Sequence, residues 1–104
     1  MIDKATALDT VLQRLDAMDV GHCLELRTYK RNRSVLFHRR AEDAFLVIED
    51  GFHTERFENV PFKKLRKLFK TLLKREFPRS TKIRLYTHGE CDPEEISRLE
   101  RKTL

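Results

Sequence analysis

The sequence predicts an α+β two-layer domain, a mostly antiparallel sheet of about five strands packed by two amphipathic helices in the order α-β-β-β-β-α-β-α. Two observations carry this. Apolar residues recur at helical spacing near 8–18 and again over 62–77. Between and after these stretches, short alternating or continuously apolar runs are separated by turn residues, the pattern of hairpin-linked strands. A chain of 104 residues has room for one hydrophobic core, so 1–104 is expected to be a single domain.

The first helix is expected over 4–19. Leu8, Val11, Leu12, Leu15 and Met18 form one apolar stripe, Asp3 is a candidate N-cap, and Gly21 suits a left-handed stop. In the run 23–29 Leu24, Leu26 and Thr28 alternate with Glu25 and Arg27, which predicts a half-buried strand. The tetrad 30–33 is a turn in which Asn32 tolerates positive φ, and 34–40 is the returning strand. The run 44–49 is continuously apolar up to Glu49 and suits an interior strand. Asp50-Gly51 is a turn signal, and 52–58 returns from it. Pro61 and Pro78 bracket the helix 62–77, and Ile83 and Leu85 mark a last strand over 82–88. The unit 52–88, strand then helix then strand, is readable as a crossover that sets the last strand parallel within the sheet. Asp92-Pro93-Glu94-Glu95 announces a short final helix that carries Ile96 and Leu99.

Charge is unevenly distributed. The chain carries 22 Lys and Arg against 17 Asp and Glu, net +5. Residues 59–88 hold ten basic side chains and one acidic, residues 22–41 six and one, and residues 42–58 one and six. On the helix 62–77, Phe62, Leu65, Leu68, Phe69, Leu72, Leu73 and Phe77 occupy one half of the cylinder and are expected to be core. Lys63, Lys67, Lys70 and Lys74 fall on the opposite flank, with Lys64, Arg66 and Arg75 at its margins. A neutral design would intersperse glutamates at i,i+4 spacing, each pair gaining about 0.2–0.5 kcal/mol. Glu76 is the one acid in that helix.

Unrelieved positive charge at this spacing suits a polyanion, because each neutralised phosphate releases counterions. The expected partner is the backbone of RNA or DNA, read without strong sequence preference. Lys63, Lys67, Lys70 and Lys74 are the expected contacts, helped by Lys30, Arg31 and Arg33 in the first hairpin turn. Tyr29 and Tyr86 are the aromatics available to stack bases. The competing expectation is a non-catalytic interaction or regulatory module, a homo-oligomer in which the acidic 42–58 block of one copy meets the basic helix of another. The bland alternative is that the same acids neutralise the lysines within one chain.

Other classes find less in the sequence. His22, Cys23, His88 and Cys91 hold the donor types of a zinc site, but only His88 and Cys91 have ligand-like spacing, so no metal is expected. Two cysteines are too few for a disulfide framework; Cys23 reads as a small core residue and Cys91 as a loop residue, in a cytoplasmic protein. The first residues lack the apolar run of a secretory signal, and no apolar stretch is long enough to span a bilayer, so no membrane partner is expected. The element order resembles that of a large class of metal-dependent nucleases, which need an acid-x-lysine pair at a strand end. Here the corresponding strand ends Ile48-Glu49-Asp50-Gly51, without that lysine, and the resemblance stops at the order. No phosphate-binding glycine loop, HExxH helix or GxSxG elbow is present, and no cofactor is expected. The sequence favours a binding protein over an enzyme.

Overall fold

The computed structural model describes residues 1–30 and 32–95 and shows a two-layer α+β domain, as the sequence predicts. Its elements are β1 (Ile2–Asp3), α1 (Lys4–Ala17), β2 (His22–Arg27), β3 (Ser34–Ala41), β4 (Ala44–Asp50), β5 (Thr54–Val60), α2 (Phe62–Glu76) and β6 (Lys82–Glu90). The sheet has six strands in the order β1-β6-β2-β3-β4-β5, one more than expected. The addition is β1, whose two residues pair with Ile83 and Lys82 and are too few to show an alternation in sequence.

Every hydrogen-bonded pair of strands is antiparallel. The crossover reading of 52–88 is therefore corrected in its outcome. α2 does carry the chain across the sheet, and β6 points the same way as β5. Three strands lie between them, however, and both neighbours of β6 run against it. Hairpins make β2 to β5 a meander, so the free position for β6 is beside β2.

One face of the sheet is covered by the helices. Leu24, Leu26, Val35, Phe37, Phe45, Val47 and Ile83 meet Val11, Leu12 and Leu15 of α1 and Leu65, Phe69, Leu72 and Leu73 of α2. The α2 contact is anchored by Phe69 set edge-on to Phe37, ring centroids 5.4 Å apart. The other face carries a smaller apolar patch of Cys23, Leu36, Leu46 and Ile48, against which Cys91 packs. The strands 23–26 and 45–48 are buried throughout because both faces are covered there.

Local chemistry differs from the sequence reading at several termini. Asp3 stands at the N-cap of α1 but makes no capping bond; its carboxylate pairs with Lys82. α2 begins after Pro61, and Asp43 from the β3–β4 turn accepts the Phe62 N–H at 2.8 Å, so an acid from another element occupies the positive end of that dipole. The positive φ expected of Asn32 appears instead at Asn59 (55°), at the irregularity where β5 loses register with β4. Asp92 caps the segment 93–95, accepting the Glu94 N–H at 3.0 Å, whereas Ile96 and Leu99 lie outside the described residues.

Cys23 and Cys91 form a disulfide with Cα atoms 5.9 Å apart, which corrects their reading as separate core and loop residues. The register of β2 on β6 brings Cys23 opposite Gly89, two residues before Cys91, and sequence spacing gives no hint of that. Among the described residues no helix is long and apolar enough to cross a membrane.

Two expectations follow for stability. Phe69→Ala removes the ring that joins α2 to the sheet and should cost about 3–5 kcal/mol in urea unfolding. The disulfide spans 68 residues of sequence. Its reduction by a dithiol should lower the unfolding free energy by about 4 kcal/mol through release of loop entropy. A urea midpoint unchanged by reduction would contradict the bond's contribution.

Candidate functional site

α2 presents its charge as its periodicity dictates. With Leu65, Phe69, Leu72 and Leu73 buried against the sheet, Lys63, Lys67, Lys70 and Lys74 are all exposed. None of these four ammonium groups has an ion pair or hydrogen bond among the described residues. Three acids of the 42–58 block are engaged elsewhere. Glu49 and Glu55 pair with Arg75, Glu55 at 3.6 Å, and Glu58 lies 3.8 Å from Arg40. Arg66, at the margin, pairs with Asp9 of α1 at 3.1 Å. A groove between the helices is lined by Asp9, Asp16, Lys63 and Arg66, so Lys63 sits at an acidic border while Lys67, Lys70 and Lys74 stand clear of it.

The residues of the first hairpin turn divide. Lys30 is exposed, Arg31 lies outside the described residues, and Arg33 is half-buried. Arg33 donates from Nε to the Glu76 carbonyl at 2.8 Å and lies 4.2 Å over the ring of Phe52. It fastens the β2–β3 hairpin to the end of α2. That bond brings the turn to the end of α2, whose last turn carries exposed Lys74, with exposed Arg79 three residues beyond.

Beneath this end lies a group that sequence reasoning missed. Glu76 and Glu49 are fully buried side by side, and Glu49 is hydrogen-bonded to Glu76. Burial pushes the Glu49 carboxyl above the usual glutamate range, the hydrogen bond to Glu76 adds to this, and Arg75 opposes it. Burial also pushes Glu76 up. That effect is outweighed by the hydrogen bond with Glu49 and by the Phe52 and His53 N–H groups, which donate to its two oxygens at 2.7 and 3.1 Å, so Glu76 lies below the usual range. The β4–β5 turn thereby holds the Glu76 carboxylate by two backbone amides. Gly51 lets the turn approach, since a Cβ there would run into Glu76 Oε1 and come within 2.8 Å of Arg33 Cγ. In sequence, Glu76 is one acid among lysines, and nothing marks it as buried.

The opposite sheet face holds a second buried carboxylate. Glu25 is fully covered, with Arg27 3.0 Å and His88 2.9 Å from its Oε1. Tyr86 lies between, its ring 5.0 Å from the Arg27 guanidinium and stacked on His88. This takes His88 into a carboxylate pair and the two sulfurs into their own bond, so the four donors His22, Cys23, His88 and Cys91 do not converge. His38, on the same face, is held below its ordinary range by burial and then by Arg40.

Comparison with protein families, with characterised proteins and with solved structures finds no match to this chain. The site has to be read from its own chemistry. The helix presents a row of ammonium groups, unpaired among the described residues, as point charges at about 5–6 Å intervals.

The carboxylate pair makes a pH prediction with a definite sign. A raised Glu49 contributes most below the ordinary glutamate value of 4.5 and loses that contribution as pH climbs through its folded value. A depressed Glu76 contributes above 4.5 and loses it as pH falls. Glu49→Gln keeps a donor for Glu76 without the ionisation. Its stability relative to wild type should therefore improve from pH 4 to 8, by about 1.4 kcal/mol for each pKa unit of the Glu49 shift. Urea midpoints that run parallel for the two proteins over this range would refute the raised Glu49 carboxyl.

Proposed function

We propose that the protein binds nucleic acid by its phosphate backbone, without strong sequence preference, through the lysine face of α2. The observation that supports this reading is the lack of any ion pair to Lys63, Lys67, Lys70 or Lys74 among the described residues, although the chain holds six acids in the 42–58 block. Like charges at i,i+3 and i,i+4 spacing repel by a few tenths of a kcal/mol per pair. A polyanion relieves that repulsion and releases its own counterions. Lys30 and Arg79 extend the positive surface past the helix end. Arg33 contributes by holding the hairpin there, since its guanidinium is committed to Glu76 and Phe52. A membrane surface suits this helix less well, because its apolar side is used by the core.

The self-association reading draws less support. Its basis is the opposite charge of the 42–58 block and α2, and Glu49, Glu55 and Glu58 of that block already face arginines of their own chain. The cytoplasmic location expected from the sequence implies a reduced Cys23–Cys91 pair, whereas the disulfide suits an oxidising compartment.

The test is a salt titration with mixed-sequence RNA and DNA. Log affinity should fall linearly with log salt concentration. Replacing Lys63, Lys67, Lys70 and Lys74 together by Gln should flatten the slope by about 0.7–0.9 for each phosphate that the variant no longer neutralises. Unchanged retention of both polymers by the folded quadruple variant would reject this lysine face as the binding surface. A wild-type protein that binds neither polymer at low salt would reject the reading.

A further inference from the structure

Apolar side chains on this molecule are generally hidden. Four of its seven phenylalanines, Phe37, Phe45, Phe69 and Phe77, are fully buried, and Phe57 and Phe62 pack against the core. Two aromatic rings break the pattern: Tyr29 is 65% and Phe52 63% exposed. Single exposed hydrophobics are ordinary on protein surfaces. These two share a place and a construction.

Tyr29 belongs to the β2–β3 turn and Phe52 to the β4–β5 turn. In an antiparallel meander both turns fall at the same end of the sheet, with β3 and β4 paired between them. The hairpin centres are two strand spacings apart, about 10 Å. α2 ends between them: its last residue, Glu76, accepts Arg33 on its carbonyl and the Phe52 and His53 amides on its carboxylate.

Each ring carries a guanidinium on one side. Arg33 lies 4.2 Å over Phe52, and Arg84 lies 4.8 Å over Tyr29. Both arginines are fastened at Nε, Arg33 to the Glu76 carbonyl at 2.8 Å and Arg84 to the Tyr29 carbonyl at 2.9 Å. The rings are thus held by cation–π contacts on one face while the other is open to water. Lys30 follows Tyr29 in the chain, Lys74 lies in the last turn of α2 and Arg79 three residues past it, all exposed; of the carboxylates at this end, Glu76 is turned to backbone amides, Glu55 pairs with Arg75 and Asp50 is half-buried.

Fixed aromatic planes framed by cations are what an unpaired base and its phosphate require. A duplex keeps its bases stacked on one another and offers such rings nothing. We propose that this end of the sheet is a base-stacking site for single-stranded nucleic acid, with Tyr29 and Phe52 as platforms and Lys30, Lys74 and Arg79 on the adjoining phosphates. The proposal rests on the backbone-binding reading above and adds a preference for single strands, which lysine contacts alone would not give. It also replaces Tyr86 by Phe52 in the expected pair of stacking residues, because Tyr86 is half-buried between Arg27 and His88.

The experiment compares a fluorescently labelled uridine or thymidine oligomer with a blunt duplex of equal length, by anisotropy at one low salt concentration. Tyr29→Ala and Phe52→Ala should each weaken single-strand binding by about 5- to 150-fold and leave duplex binding within about twofold. The aromatic swaps Tyr29→Phe and Phe52→Tyr should restore single-strand affinity. Both sites are exposed, and unchanged thermal unfolding checks that the variants are intact. The chain has no Trp and two Tyr, so in a Tyr86→Phe background Tyr29 is the sole such fluorophore, and the oligomer should quench it on stacking.

Equal weakening on single strand and duplex, or none on either, would overturn the stacking site. Wild-type protein that binds duplex alone would leave the backbone reading standing and overturn this one. Protein that binds neither polymer would remove both. A dimer in sedimentation that the Tyr29→Ala/Phe52→Ala variant dissolves, with no nucleic acid bound, would assign the rings to self-association.

Discussion

Burial of the apolar half of α2 against Phe37, Phe45 and their neighbours is the constraint from which the rest follows. A helix has one rotation about its axis that covers Leu65, Phe69, Leu72 and Leu73 together, and that rotation fixes where every other side chain goes. Four ammonium groups on the surface, unpaired among the described residues, are a by-product of packing geometry applied to this sequence. No loop has to be ordered to present them. The core therefore keeps the cationic face rigid, and a rigid array loses little entropy when it meets a partner.

The end of α2 has a different logic. Polar groups buried there have to find partners, and they do so with one another: Glu49 is hydrogen-bonded to Glu76, Arg75 holds Glu49, and Glu76 holds the amides of the β4–β5 turn. Half-satisfied networks of this kind are costly, which makes the satisfied one specific. It sets the position of Phe52 relative to α2, and Arg33 does the same for the neighbouring hairpin. The exposed ring of Phe52 is thereby placed by the buried network beneath it, while that of Tyr29 is held by Arg84.

The far face of the sheet is closed by other means. Cys91 is tied to Cys23, Pro93 is buried, and Glu94 pairs with Arg56 of β5, so the chain after β6 crosses the patch of Leu36, Leu46 and Ile48. Buried Glu25, with Arg27 and His88 beside it, occupies the adjoining region. The helix side and the tips of the hairpins remain as the cationic surfaces.

The sequence by itself determined the class of fold, the two helices, the four meander strands and the orientation of the lysines, because periodicity and turn chemistry are local. It also located Asp92 as a cap. Tertiary structure alone decided the pairing of β6 with β1 and β2, the Cys23–Cys91 bond, the burial of Glu25, Glu49 and Glu76, and the employment of Arg33. Each of these depends on which residues meet across tens of positions, and the cost or gain of a buried charge is set by neighbours that no window of sequence contains. The exposure of Phe52 belongs to the same group: a phenylalanine after a turn reads as the start of a strand until the turn is seen to be held by Glu76.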